Sequence, residues 1–293
     1  MKRYTSSIIA FASVLSLTII TASCRHHRTP KSITFRRVIN AKENPSENDK
    51  ARGNSNNQER RFVTDSLQRI FIPAKLSGHP EQILRRKAYY VSYNNETKCP
   101  NWVAWHLTAN HADGGVQRFS GYMEDEDVPT PRATENDYCG SGWSHGHMCP
   151  AGDNKWDEVA MMESNYLTNI CPQDRSLNSG VWNRIEMDCR KWAKKYGDLY
   201  IVCGPVLLKR GHETIGPNKV CVPEAFFKVI LCLQEKPKAI GFIIRNNGGT
   251  KKKDQFINTV DDVERITGID FFPVLPDDIE NEVEATANIK DWR

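Results

Sequence analysis

His145 and His147 stand two residues apart in Ser144-His145-Gly146-His147-Met148-Cys149-Pro150, and a polar series follows them: Asn169, Asn178, Glu186 and Arg190. Imidazole titrates near neutrality, so either histidine can take a proton as a general base. The flanking Cys139 and Cys149 open a second chemistry, a zinc site built with the two histidines. Thiolate and imidazole are the preferred ligands of that ion. The spacing Cys-x5-His-x-His-x-Cys lacks the paired-ligand knuckle of structural zinc sites, which favours the base over the metal. Simpler readings exist for the polar series. Glu186 and Arg190, four residues apart, fit a helix salt bridge, and Asn178 fits a helix N-cap.

The order of these residues decides between the readings. Gly146-His147 is followed by Thr168-Asn169-Ile170-Cys171-Pro172-Gln173, then Leu177-Asn178, Trp182, Glu186 and Arg190. Upstream stand Val91-Ser92-Tyr93-Asn94 and Trp102-Val103-Ala104-Trp105; downstream come Cys203-Gly204-Pro205 and Thr267-Gly268-Ile269-Asp270-Phe271-Phe272-Pro273. Over roughly residues 80–285 the chain resembles the DNA/RNA non-specific endonucleases, the ββα-metal (His-Me finger) nucleases.

That resemblance implies an α+β fold with a central, mainly antiparallel sheet flanked by helices. It also implies a Mg²⁺-dependent endonuclease that cuts DNA and RNA with little sequence preference and leaves 5′-phosphate ends. His147 matches the general base, Asn178 the direct ligand of one divalent metal ion (Mg²⁺, with Mn²⁺ possible), and Glu186 an acid that holds metal-bound water. Asn169 matches a polar member of the site and Arg118 an arginine that clamps the scissile phosphate. Arg190 matches a second phosphate contact or an orienter of Glu186. No protein partner is implied. The departure is Ser144-His145, where the family has Asp-Arg. His145 in that place would meet the phosphate only when protonated, whereas His147 must be neutral, so activity is expected to peak in a narrow window near neutrality. The alternative is a catalytically weak nucleic-acid-binding lipoprotein.

The elements that must position these groups are legible from patterning. Tyr89–Tyr93, Trp102–Leu107, Leu199–Cys203, Ala225–Leu233 and Ala239–Ile244 are aromatic and β-branched runs that predict strands, with Asn94-Asn95 and Pro100 as breaks. Trp182, Ile185, Cys189 and Trp192-Ala193 recur at the helical period. Val263 to Ile266 before Thr267-Gly268 predicts a short helix with a glycine stop. Strands and helices come in blocks, which favours α+β.

Charge is divided unevenly along the 293 residues. The first 75 carry 14 basic and 5 acidic residues, so against a total of +4 the remainder is net −5. A polyanion held by that remainder needs a local basic patch. Lys2-Arg3, an uncharged apolar run and Ala22-Ser23-Cys24 predict a lipoprotein-type signal over residues 1–23. This places the chain as an exported, periplasmic or cell-surface lipoprotein of a bacterium, anchored through lipidated Cys24. Residues 24–75, basic and poor in large apolar side chains, predict a flexible linker, and 76–293 the nuclease domain. Eight further cysteines are compatible with disulfides in an oxidising compartment, with 105 possible connectivities.

Overall fold

The computed structural model describes residues 70–208, 211–234, 236–247 and 252–293. The signal expected over 1–23, Cys24 and nearly all of the expected linker lie outside them. The packed chain begins ahead of residue 76: Ile70 and Phe71 are buried, and Ala74 N–H donates to Asp270 O at 2.9 Å.

Seven strands make the central sheet in the order β1-β2-β3-β6-β9-β10-β11, every pairing antiparallel. They are β1 (Gln82–Arg85), β2 (Tyr89–Asn94), β3 (Cys99–Leu107), β6 (Leu199–Val206), β9 (Ala225–Cys232), β10 (Lys238–Arg245) and β11 (Ile257–Asn258). Two small ribbons complete the strands: β4 (Ser144–His147) with β5 (Ile170–Gln173), and β7 (Thr214–Ile215) with β8 (Val220–Cys221). The helices are α1 (Glu135–Tyr138), α2 (Glu158–Glu163), α3 (Arg175–Leu177), α4 (Asn183–Tyr196), α5 (Val260–Thr267) and α6 (Asp277–Glu284). Pro100, expected to break a strand, instead lies inside β3 beside a register shift between Ser92 and Tyr93. A bulge is one of the few places a sheet accepts proline, because no ladder hydrogen bond is asked of its nitrogen there.

Both faces of the sheet are covered, which explains why β9 reads as an almost unbroken apolar run and is buried throughout. Side chains alternate along a strand. Phe226, Lys228, Ile230 and Cys232 therefore share one face, and Phe227, Val229 and Leu231 the other. On the first face Trp182, at the start of α4, meets Phe226 with ring centroids 5.6 Å apart. On the second, Phe227 meets Phe271 at 5.5 Å, and α5 lies across β10. The antiparallel ribbon β4–β5 and α4 belong to the first face; α5 and α6 belong to the second. The eight cysteines from Cys99 to Cys232 form no disulfides among the described residues, and Cys139 alone among them is exposed.

Close approach on the second face has a specific cause. A Cβ added at Gly241 of β10 would lie 2.6 Å from Val263 Cγ2 and 3.1 Å from the carbonyl oxygens of Asn258 and Thr259. Gly241→Ala is therefore expected to lose about 1–3 kcal/mol through overpacking. Adding Val263→Ala removes the tighter contact and should make the two changes less than additive in a thermal-melt double-mutant cycle.

Candidate active site

Gly146 and His147 lie on β4 and face Cys171 and Ile170 on β5. Only a residue without a side chain fits at 146, since a Cβ there would come within 2.5 Å of the Gln173 side chain. The ribbon is then tied to its surroundings. Asn169 O accepts from Met148 N–H at 2.9 Å, and Trp182 Nε1–H donates to His147 O at 3.2 Å, which fixes α4 against β4.

The His147 ring is 6% exposed, and its Nε2 lies 3.3 Å from Asn165 Oδ1. The Asn165 amide is oriented by its own Nδ2–H, which donates to Met161 O at 3.0 Å. Its Oδ1 must therefore face the imidazole, and Nε2 must carry the proton. Nδ1 is left as the nitrogen with a lone pair, which is the tautomer a base requires. Burial, then the Arg118 and His145 charges, push the His147 pKa down to about 4, against the favourable bond to Asn165. The ring is neutral at pH 7.

A cavity of about 470 Å³ opens in front of this ring. Arg118, Tyr122, His145, Arg175, Asn178, Glu186 and Arg190 also line it. Asn178 opens an irregular turn, Asn178–Trp182, in which Gly180 leaves helical geometry (φ −97°, ψ −112°). It does not cap α4, whose N-cap position is Trp182. The Asn178 Nδ2–H donates to His145 O at 3.3 Å, so its Oδ1 is the amide atom free to serve another group. A neutral amide oxygen beside the Glu186 carboxylate is an all-oxygen donor set. It fits a hard divalent ion that keeps most of its waters. It does not fit zinc. Cys139, His145, His147 and Cys149 form no ligand cluster among the described residues, and Cys149 is a buried thiol that meets Asn154 Nδ2 at 3.4 Å.

Glu186 is pushed up to about 7 by burial, with Asp153 adding to the rise and Lys228, Arg190 and Arg118 opposing it. Arg190 makes no salt bridge with Glu186, although its charge acts on that carboxyl group. Arg190 Nη1–H donates instead to Asp153 Oδ1 at 2.8 Å, while Asp153 Oδ2 accepts from Trp105 Nε1–H at 3.1 Å. Arg190 still lines the cavity, held there by a carboxylate from another element.

Asn169 is the site residue that the structure does not bring to the cavity. It is fully buried. Its Oδ1 accepts from Cys149 N–H at 2.9 Å, and its Nδ2 donates to Cys149 O and Ser164 O, both at 2.8 Å. Every amide atom is spent on backbone, so Asn169 clamps the chain that follows His147 rather than facing substrate. His145 also departs from expectation. Its ring is stacked between Tyr122 and Tyr138, with centroids 3.9 and 4.1 Å away, and Nε2 lies 3.0 Å from Glu135 Oε2. Burial lowers its pKa in spite of Glu135. Both histidines therefore favour the neutral form near pH 7, so His145 brings less charge to the cavity than the resemblance implied. Permanent charge comes from Arg118 and Arg175.

Lys228, Asp153, Asn165 and Arg175 complete the arrangement and are absent from the sequence reading. Lys228 is fully buried, its Nζ 4.4 Å from the Trp182 ring and 5.0 Å from the Trp105 ring. Burial pulls its pKa down, yet Cys203, Glu186, Cys189 and Asp153 together hold it above the ordinary value. One signal marked it: a single lysine inside the apolar run Ala225–Cys232.

A two-stranded ribbon carrying a buried neutral histidine, closed by a turn and a helix that bring an amide and a carboxyl group to the same cavity, defines the ββα nuclease class. The family described as DNA/RNA non-specific endonuclease matches residues 68–278, and the chain belongs to that family. It is 38% identical over 205 residues to the mitochondrial nuclease EXOG of Xenopus laevis, covering 64% of this chain and 57% of that protein. Mitochondrial endonuclease G of Homo sapiens is 31% identical over 208 residues, covering 66% of this chain and 70% of that protein. The crystal structure of an EndoG/EndoGI complex superposes with a TM-score of 0.66 at 27% identity, covering 72% of this chain and 93% of that one. The chain thus matches little more than half the length of the Xenopus relative.

These relatives overturn the expected location. They are mitochondrial nucleases of eukaryotes, not periplasmic or cell-surface lipoproteins of a bacterium. The physical reason for the error is that a basic start followed by an uncharged apolar run is a generic pattern, and residue types alone do not say which machinery reads it. Among the described residues no helix is long and apolar enough to cross a membrane.

Two measurements check this geometry. In an NMR titration His147 should remain neutral to well below pH 6. Its folded pKa of about 4 lies under the ordinary 6.5, so its contribution to stability is complete above pH 6.5 and is lost as pH falls from there towards 4. That loss amounts to about 3 kcal/mol, and it should disappear in His147→Gln. Asn169→Ala should cost about 2–4 kcal/mol in denaturant melts, since it strips three buried hydrogen bonds. A residue that only faced substrate would leave the melt unchanged.

Proposed function

We propose that this chain is an endonuclease that hydrolyses phosphodiester bonds of DNA and RNA with little sequence preference, through one divalent cation, Mg²⁺ or Mn²⁺. Residues 76–293, with the short segment that packs ahead of them, form the catalytic domain. The observation that carries the reading is the setting of His147: its Nε2 meets Asn165 Oδ1, and the residue lines a cavity shared with Asn178, Glu186 and Arg118.

In the reaction, a water gives its proton to His147 Nδ1 as its oxygen bonds to phosphorus. The bond from phosphorus to the 3′-oxygen breaks, and that oxygen leaves as a hydroxyl once it gains a proton from solvent. The products carry 5′-phosphate and 3′-hydroxyl ends. Asn178 Oδ1 would hold the cation, with Glu186 hydrogen-bonded to its waters; when bound, the ion offsets the negative charge that builds on phosphorus and the leaving oxygen. Arg118 and Arg175 at the cavity attract the phosphate backbone, a local patch in a domain whose overall field is not attractive. Contacts to backbone carry no sequence information, which supports a non-selective enzyme.

Nicking of supercoiled plasmid, with Mg²⁺ and with EDTA, tests the proposal. His147→Ala should lose about 10²–10⁴-fold in rate while DNA binding is retained, because the base acts on water. Asn178→Ala should lose activity that high Mg²⁺ restores only in part. A wild-type protein inactive with both Mg²⁺ and Mn²⁺, or equal loss of binding and rate in His147→Ala, would count against the reading.

A further inference from the structure

On the sheet face opposite the catalytic cavity, acidic side chains from two helices converge. Asp261 and Glu264 come from α5 and Glu284 ends α6. Each offers one carboxylate oxygen, and the three oxygens lie within 4.8 Å of one another. Acidic residues gathered on a surface are ordinary, since water satisfies them. Glu284 differs: the residue is 6% exposed, and its Oε1 is sealed from solvent with no hydrogen-bond partner. A buried carboxylate oxygen without a donor is costly to keep.

Among the described residues no basic side chain forms a salt bridge with these three carboxylates. Arg265, on the same helix as Asp261, pairs with Asp262 at 2.6 Å. Glu264 Oε1 accepts from Phe271 N–H at 2.7 Å, which anchors that carboxylate at the cluster. Asp270, in the loop after α5, and Glu280, on α6, add further negative field at Glu284. Burial and this crowding push Glu284 up to about 9 and Glu264 to about 7.

We propose that Asp261, Glu264 and Glu284 form a divalent-cation site of the Ca²⁺ type, separate from the catalytic cavity, that ties α5 to α6. The donors are all hard oxygens, with no imidazole or thiolate among them, which disfavours the softer metals as occupants. Ca²⁺ binds oxygen at about 2.3–2.6 Å and accepts irregular carboxylate sets completed by water, whereas Mg²⁺ demands a tight octahedron. Three carboxylates from two helices, one buried, one half-buried and one exposed, form the irregular kind of set.

Thermal melting of the EDTA-treated full chain at pH 8, with and without CaCl₂, tests this. Ca²⁺ at about tenfold over its Kd should raise the midpoint by about 3–5 °C. The rise should be equal in Asn178→Ala, where the catalytic cavity has lost its proposed ligand, and absent in Glu284→Gln and in Asp261→Asn. The proposal is overturned if Ca²⁺ leaves the wild type unchanged, in which case the cluster holds protons instead. It is also overturned if the rise survives both carboxylate changes or vanishes in Asn178→Ala. Should Glu284→Gln fail to fold, the exposed Asp261→Asn decides alone.

Discussion

A charge in the middle of a folded domain must be answered by another charge or by polarisable groups, and here that constraint is met around Lys228. Its ammonium group lies between two indole faces, on the sheet face that carries the catalytic ribbon. Around it are Glu186 and the buried Asp153. Asp153 in turn holds Arg190 and the Trp105 indole. Removing any one member of such a set leaves the others buried without compensation. The floor of the cavity is therefore an electrostatic unit, and the positions of Glu186 and Arg190 follow from it as much as from the helix that carries them.

The rim follows a different logic. β4 and β5 form a ribbon of only two strands, which has little stability alone. Its position comes from backbone contacts made by side chains: Asn169 clamping Cys149, Trp182 bonded to His147 O, and Gly146 admitting Gln173. With the backbone held, His147 needs only Asn165 to select its tautomer. A base whose pKa lies well below neutrality is a weak proton acceptor in water, but it is fully in its reactive form at physiological pH. The cavity trades basicity for readiness.

His145 shows how packing can set the charge of a titratable side chain. Where the resemblance implies an arginine, this chain has an imidazole packed between two tyrosines. Flat rings stack well, and stacking removes water from the imidazole, which suppresses its charge. The positive charge at the cavity mouth then rests on Arg118 and Arg175, which line the same space.

The sequence alone determined the elements and the ordered motif. Apolar alternation and the helical period are local signals, so β2, β3, β6, β9, β10 and α4 were legible from neighbouring residues, whereas His147, Asn178 and Glu186 stood out only through the family resemblance of the ordered motif. What only the tertiary structure decided is which group answers which. Arg190 meets Asp153 rather than Glu186, although Glu186 is one turn away on its own helix. Asn169 serves backbone rather than substrate. Asn165 orients His147 from 18 residues away. Lys228, Asp153 and the acidic meeting of α5 with α6 have no local signature beyond a lone lysine in an apolar strand. Such pairings join residues far apart in sequence, and their energies depend on burial and distance. Neither quantity exists until the sheet has brought the elements together.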